Sequence, residues 1–230
     1  MELSGGLIEL FRKAVLLDLD GTLIDSTSAI ERAWCLWANQ HGLPVESVLE
    51  KATGFRSVDT IRLVAPYLDA IKEAAALEVI EANNLDGVIP FPGAQELLAG
   101  LADGAWAIVT SGTRRLATNR IQHAGLPMPR ILVTADDVKL GKPDPQGYLL
   151  AAAQLGVDAG ECLVLEDSYP GIAAGQNARM CVVAVARSRP KWQPLEADWV
   201  INGLEDVLVE QLQGVIKVTL HLYHERNSKV

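Results

Sequence analysis

Short apolar runs alternate along this chain with longer stretches whose apolar positions recur at helical spacing. Residues 14–17, 105–110, 130–133, 162–165 and 181–186 are apolar, largely β-branched and of strand length, which predicts strands buried on both faces. Between them, residues 94–101, 113–124, 145–155 and 170–178 have helical patterns. Such alternation predicts an α/β fold with a Rossmann-like, mostly parallel sheet core and helices on both faces. Right-handed crossovers then bring every strand-to-helix loop to the carboxyl edge, where ligands of such sheets bind.

The alternation breaks over residues 26–89, where nothing resembles a strand and helical stretches at 29–41 and 69–84 follow one another. Asp25 borders this stretch on one side and Pro90-Phe91-Pro92-Gly93 on the other, and proline and glycine suit a hinge. The expected organisation is an α/β core of residues 1–24 and 91–230 with an inserted α-helical cap domain at 25–90. In residues 214–222, Val215, Lys217, Thr219 and His221 alternate with Ile216, Val218 and Leu220, which predicts a half-exposed edge strand, followed beyond Tyr223 by a polar, frayed tail. No internal repeat or low-complexity segment interrupts the pattern.

Composition narrows the function. At 230 residues, with 49% hydrophobic and 21% charged, the chain can bury a core without disulfides or a structural metal. Twenty basic residues against 29 acidic ones leave a net charge of −9, which disfavours nucleic acid and anionic membrane surfaces as partners. A small anionic substrate remains open, because a site needs only local positive charge. Cys35, Cys162 and Cys181 form no Cys-x-x-Cys pair and lie in apolar surroundings, as core thiols of a reducing compartment do. The N-terminal stretch shows neither a signal peptide nor a membrane span, so a cytoplasmic location is expected. Oligomeric state is not legible, and a monomer is compatible with everything above.

Chemistry concentrates at the predicted strand ends. In Asp18-Leu19-Asp20-Gly21-Thr22 two carboxylates project from one side of a buried strand's end, and Gly21 lets the chain turn away. One could attack as a nucleophile while the other moves protons, although aspartates also simply end strands and make turns. Thr110-Ser111-Gly112 could hold phosphate oxygens through a hydroxyl and backbone N–H groups at a helix start, or merely cap that helix. Lys142, in Gly141-Lys142-Pro143-Asp144-Pro145, could neutralise a transferring phosphoryl group from a stiff loop, or face solvent. Glu166-Asp167 could supply oxygens to a hard cation such as Mg²⁺, or form an acidic helix start.

Taken together, acid pair, hydroxyl, lysine and acid pair at one sheet edge resemble the signature of the haloacid dehalogenase-like hydrolase superfamily, from Ala14 to about Leu208. The position of the insert resembles members with a small α-helical cap. Residues 25–34, 107–112 and 138–143 are similar to bacterial hexitol and sugar phosphatases, relatives of the yeast 2-deoxyglucose-6-phosphate phosphatases. The resemblance implies that Asp18 forms an aspartyl-phosphate and that Asp20 is the general acid and base. It implies Mg²⁺ bound by Asp18, the Asp20 carbonyl and Asp167, with Glu166 in or orienting that shell, and Thr110 and Lys142 on the phosphoryl oxygens. The implied substrate is a small phosphorylated sugar or polyol.

Within the insert, Thr53-Gly54-Phe55-Arg56-Ser57 resembles the cap loop that enters the active site in this group. Arg56 is thus a candidate for sugar hydroxyls or a second anion, and Trp34 for stacking on the substrate, with helix capping and cap packing as the alternatives for both. A sugar phosphomutase resembling β-phosphoglucomutase is the competing enzyme. Against it, Ile30 stands where that mutase carries a histidine, and the loop arginine comes one residue early, at Arg56 instead of Ser57. A dehalogenase needs neither Asp20 nor a metal, and a non-catalytic phosphosugar sensor need not keep Asp18, Asp20, Lys142 and Asp167 together. His41, His123, His221 and His224 lie outside all four motifs, and Arg187, Arg189 and Lys191 read as a solvated loop.

Overall fold

The computed structural model describes residues 6–187 and 196–222. Among these, strands β1 (Leu7–Arg12) and β2 (Ala14–Leu17) lead into a short β3 (Ile24–Asp25), from which the chain leaves the core. Four helices follow: α1 (Thr27–Gln40), α2 (Val45–Ala52), α3 (Ser57–Val64) and α4 (Ala70–Ala82). The chain returns through β4 (Ile89–Pro90), which pairs antiparallel with β3, so the two crossings are held side by side. Helix α4 starts where expected because Asp69 caps it, its carboxylate accepting from the Ile71 and Lys72 N–H groups at 3.2 Å.

The core then runs α5 (Ala94–Ala99), β5 (Trp106–Val109), α6 (Arg114–His123), β6 (Leu132–Val133), α7 (Gln146–Leu155), β7 (Cys162–Glu166), α8 (Tyr169–Asn177), β8 (Cys181–Val185) and β9 (Trp199–Ile201). Six strands of the described residues form one parallel sheet in the order β6-β5-β2-β7-β8-β9. From β2 the chain first builds outward through β5 and β6, then crosses back to β7 on the other side. The strand order therefore reverses between β2 and β7, and loops diverging at such a switch point leave a crevice.

Both faces of the sheet are covered, which is why its strands read as unbroken apolar runs. Ala14 and Leu16 of β2 pack with Tyr148 and Ala152 of α7 and Ile172 of α8, whereas Val15 and Leu17 face Leu97 of α5 and Ile121 of α6. The second face has a further cover that the pattern did not predict. Strands β1, β10 (Val207–Leu212) and β11 (Val215–His221) make a separate antiparallel sheet in the order β1-β11-β10. The alternation read in residues 214–222 is borne out, since Ile216, Val218 and Leu220 are fully buried in that core. Its placement is corrected: β11 is the middle strand of its sheet, not an edge. Strand β1 escaped prediction because Glu9 and Arg12 interrupt an otherwise short apolar run, and its partner lies about 200 residues away in sequence.

The inserted helices bury their own apolar cluster, including Trp34, Trp37, Val48, Ile61 and Leu77. Cys162 is buried and Cys35 and Cys181 half-buried, all three unpaired, so two are less deeply placed than core residues. The tail expected beyond Tyr223, together with Arg189, Lys191 and His224, lies outside the described residues, and Arg187 pairs with Glu205. No helix among the described residues is long and apolar enough to cross a membrane.

If the antiparallel sheet is part of the cooperative core, Leu220→Ala lowers unfolding free energy by about 2–5 kcal/mol in urea titrations. A loss under about 0.5 kcal/mol, the scale of a surface change, would show that the sheet is only an appendage.

Candidate active site

The site forms where β2 and β7 end. Parallel neighbours lie about 4.8 Å apart, so residues leaving them in register become neighbours at the sheet edge. The Asp18 N–H donates to the Leu165 carbonyl at 3.0 Å, which sets Asp18 beside Glu166. From the loop before α7, Lys142 reaches across this edge. Its Nζ donates to Asp18 Oδ1 and Glu166 Oε1, both at 2.5 Å, and to the Val109 carbonyl at 3.2 Å. The solvent-exposed lysine allowed by the sequence is thus a buried one.

Glu166 is completely buried and its oxygens are occupied. Oε1 also accepts from Tyr148 Oη at 3.1 Å, while Oε2 accepts from the Asp167 and Ser168 N–H groups at 2.9 Å and Ser168 Oγ at 3.0 Å. Ser168 caps α8 as well, accepting from the Gly171 N–H at 3.2 Å. The result is a carboxylate locked in place, which in turn locks Lys142.

Oxygens of Asp18, Glu166 and Asp167 lie within 4.8 Å of one another, all buried. Burial, and then the neighbouring Glu166 charge, push the Asp18 carboxyl well above the usual carboxylate range, against the pull of Lys142. Burial opposes the charge on Lys142, but Asp18 and Glu166 outweigh it and hold the ammonium well above its usual range. Lys142 is the ammonium paired with two of the three clustered carboxylates, Asp18 and Glu166. Three buried carboxylates with oxygens this close make an all-oxygen donor set that fits a hard divalent cation such as Mg²⁺. Glu166 already has a full set of partners, and Asp18 and Asp167 are the other carboxylates of the cluster. The turn after Asp20 accommodates Asp167: Gly21 has φ 95°, and a Cβ there would overlap the Asp167 carboxylate.

A haloacid dehalogenase-like hydrolase family model matches residues 12–179. The chain belongs to that family. It is 43% identical over 202 residues to Hexitol phosphatase A of Escherichia coli, covering 86% of this chain and 94% of that protein. It is 34% identical to 2-deoxyglucose-6-phosphate phosphatase 2 of Saccharomyces cerevisiae, over 84% of this chain and 89% of that one. Among solved structures, β-phosphoglucomutase from Clostridium difficile superposes with a TM-score of 0.72 at 20% identity, over 84% of this chain and 92% of the other, a likeness of fold alone.

In this haloacid dehalogenase-like hydrolase the second acid of the first motif is set apart from the carboxylate cluster. Asp20 Oδ1 accepts from Ser26 Oγ at 2.7 Å and from Arg120 Nη1 at 3.0 Å. Its carboxylate lies outside the cluster of Asp18, Glu166 and Asp167. Thr110 follows β5 on the far side of β2, and its Oγ1 accepts from the Gly112 N–H at 3.1 Å. Ser111 Oγ donates to the Gly54 carbonyl of the insert at 2.8 Å. Arg56 Nη1 likewise reaches the core, at the Val138 carbonyl at 3.2 Å, while its Nε pairs with Asp59 of the insert's own α3 at 2.6 Å.

Trp34 requires a correction. Its ring is 3% exposed inside the insert, edge-on to Trp37 at 5.5 Å, so it packs the insert's own core and is not presented to a substrate. Two residues that sequence reasoning passed over, Tyr148 and Arg120, join the site, as does Ser168, the last residue of the Glu166-Asp167-Ser168 stretch that also resembles the phosphomutase. Tyr148 shares the α7 face of Ala151 and Ala152, where an aromatic reads as core. Arg120 did carry a signal, for Leu116, Ala117 and Ile121 put it in the middle of the buried α6 face.

The helix α8 backbone sits against Glu166 so closely that a Cβ at Gly171 would overlap its carboxylate. Gly171→Ala should therefore displace Glu166, release Lys142 and cut turnover at least about tenfold, a typical result of misplacing a catalytic shell. Unchanged kcat with unchanged thermal stability would show that Glu166 does not position the lysine.

Proposed function

We propose that this chain is a Mg²⁺-dependent phosphatase that hydrolyses small sugar or sugar-alcohol phosphates through an aspartyl-phosphate intermediate, with residues 25–90 acting as its cap. That it is a phosphoric monoester hydrolase follows from its family and its phosphatase relatives. The observation that carries the finer reading is the Lys142 bridge between Asp18 and Glu166 inside a buried carboxylate cluster, an arrangement built to receive negative charge at Asp18. The names of the hexitol and 2-deoxyglucose-6-phosphate phosphatases support the substrate class.

In this reading an Asp18 carboxylate oxygen attacks phosphorus as the bond to the sugar oxygen breaks, and Asp20 gives that oxygen its proton. Asp20 then takes a proton from water as the water oxygen attacks the phosphorus of the aspartyl-phosphate, which frees inorganic phosphate and restores Asp18. Lys142, Thr110 and the N–H groups of Ser111 and Gly112 hold the phosphoryl oxygens. Asp18, the Asp20 carbonyl and Asp167 would hold a Mg²⁺, with Glu166 orienting the shell, and the ion would supply the charge that lets one anion approach another.

The leaving group is read by the cap. A groove of about 490 Å³ runs between Phe55, Arg56 and Asp59 of the insert and Leu140 and Asn177 of the core, with Lys142 in its wall, a size common for small-molecule sites. Arg56 keeps its candidacy for sugar hydroxyls there, in exchange for its present partners. Unpaired thiols and a phosphosugar substrate suit the cytoplasm.

Asp18→Asn should abolish phosphate release while the protein stays folded, and chelation by EDTA should stop the wild type until Mg²⁺ is added back. Activity near wild type in either arm would sink the mechanism. Substrate choice is tested separately. If Arg56 reads the sugar, Arg56→Ala lowers kcat/KM for hexitol phosphate by about 1.5–3 kcal/mol and for p-nitrophenyl phosphate by much less. Equal losses would confine Arg56 to clasping the cap on the core through Val138.

A further inference from the structure

The general acid is held by a residue that belongs to none of the four motifs. Arg120, near the end of α6, is 3% exposed along its side chain and spans two carboxylates with its two terminal nitrogens. Nη1 reaches Asp20 Oδ1 at 3.0 Å, and Nη2 reaches Glu81 Oε1 of α4 at 3.1 Å. Asp20 lies on the turn after β2, Arg120 on the helix after the Thr110 loop, and Glu81 at the end of the insert's last helix. One guanidinium thus ties together the acid, the phosphate loop and the insert.

Stability alone is a poor account of this triad. Taking these charges out of water costs several kcal/mol per ion, and apolar residues of equal volume serve a core as well or better. What a buried fork does supply is orientation, since a planar guanidinium fixes the direction of each carboxylate it binds. Ser26 Oγ and Arg120 both engage Oδ1 of Asp20, which turns Oδ2 into the oxygen for proton transfer.

We propose that Arg120 is a positioning residue for proton transfer: it aims the Asp20 carboxylate and, through Glu81, makes that aim depend on the insert being docked on the core. The inference rests on the phosphatase reading, specifically on Asp20 as general acid. No bond is made or broken by Arg120, and the proton passes from Asp20 to the sugar oxygen.

The test uses leaving groups that differ in their need for a proton. An alkoxide must be protonated as it departs, whereas p-nitrophenolate leaves unaided, and kcat/KM reports the steps up to that departure. Hexitol phosphate and p-nitrophenyl phosphate are compared in wild type, Asp20→Asn, Arg120→Met, Arg120→Lys and Glu81→Gln. Arg120→Met should lower kcat/KM for hexitol phosphate about 10²-fold, mostly in kcat, and for p-nitrophenyl phosphate about tenfold less than that. Arg120→Lys should recover part of the loss, and Glu81→Gln should show the same bias at smaller size.

Equal losses on both esters, or no loss, overturn the proposal, because a merely structural arginine has no means of sensing the leaving group. If Arg120→Met does not fold, the ester bias of Arg120→Lys and Glu81→Gln decides on the same terms. Asp20→Asn separates the two levels. If it discriminates between the esters and the Arg120 and Glu81 variants do not, only the tie is wrong. If Asp20→Asn itself shows no discrimination, the acid role falls and the inference with it.

Discussion

Two buried carboxylates, Asp18 and Glu166, share one buried ammonium at the carboxyl edge of the sheet, with the Asp167 carboxylate close by, and much of this molecule is arranged to make that tolerable. Removing like charges from water is costly, and the cost is met here by geometry: Lys142 lies between Asp18 and Glu166, while backbone N–H groups and two hydroxyls saturate Glu166. Such an arrangement needs β2 and β7 adjacent and parallel, a helix start immediately after Glu166, and a loop that carries Lys142 across β5. The doubly wound topology delivers all three at its switch point.

The insert answers a different demand. It has its own apolar cluster, and it meets the core through polar links, Ser111 to Gly54, Arg56 to Val138, Arg115 to Glu78 at 2.7 Å and Arg120 to Glu81, as well as through Ala29, Leu85 and Val88, which join the core's apolar cluster. Polar contacts can be exchanged for water at modest cost, unlike a shared apolar core. In the docked arrangement seen here, Arg56 and Ser111 are both spent on the junction, which is why their contributions to substrate binding have to be separated from their contributions to docking.

The antiparallel sheet of β1, β10 and β11 does for one face what α7 and α8 do for the other. Its inner row of Ile216, Val218 and Leu220 joins the cluster of Leu17, Leu97 and Ile121. Stacking a sheet on a sheet this way needs one apolar row per strand, and the outer row is free to carry Glu9, Lys217 and Thr219. Glu9 and Lys217 use that freedom to pair at 2.6 Å.

The sequence by itself determined the alternation of strands and helices, the insert after the first strand, and the four chemical motifs, because each depends on residues close together in the chain. Asp18, Thr110, Lys142 and Glu166-Asp167 were all legible at strand ends or in short loops. Tertiary structure alone decided what depends on distant partners. Strand β1 exists because β11 pairs with it, Trp34 points inward because Trp37 and the other insert helices surround it, and Asp20 is aimed by Arg120, a hundred positions away. Periodicity places a residue on a face, but which charge or ring meets it there is set by the packing of elements that the local pattern does not relate.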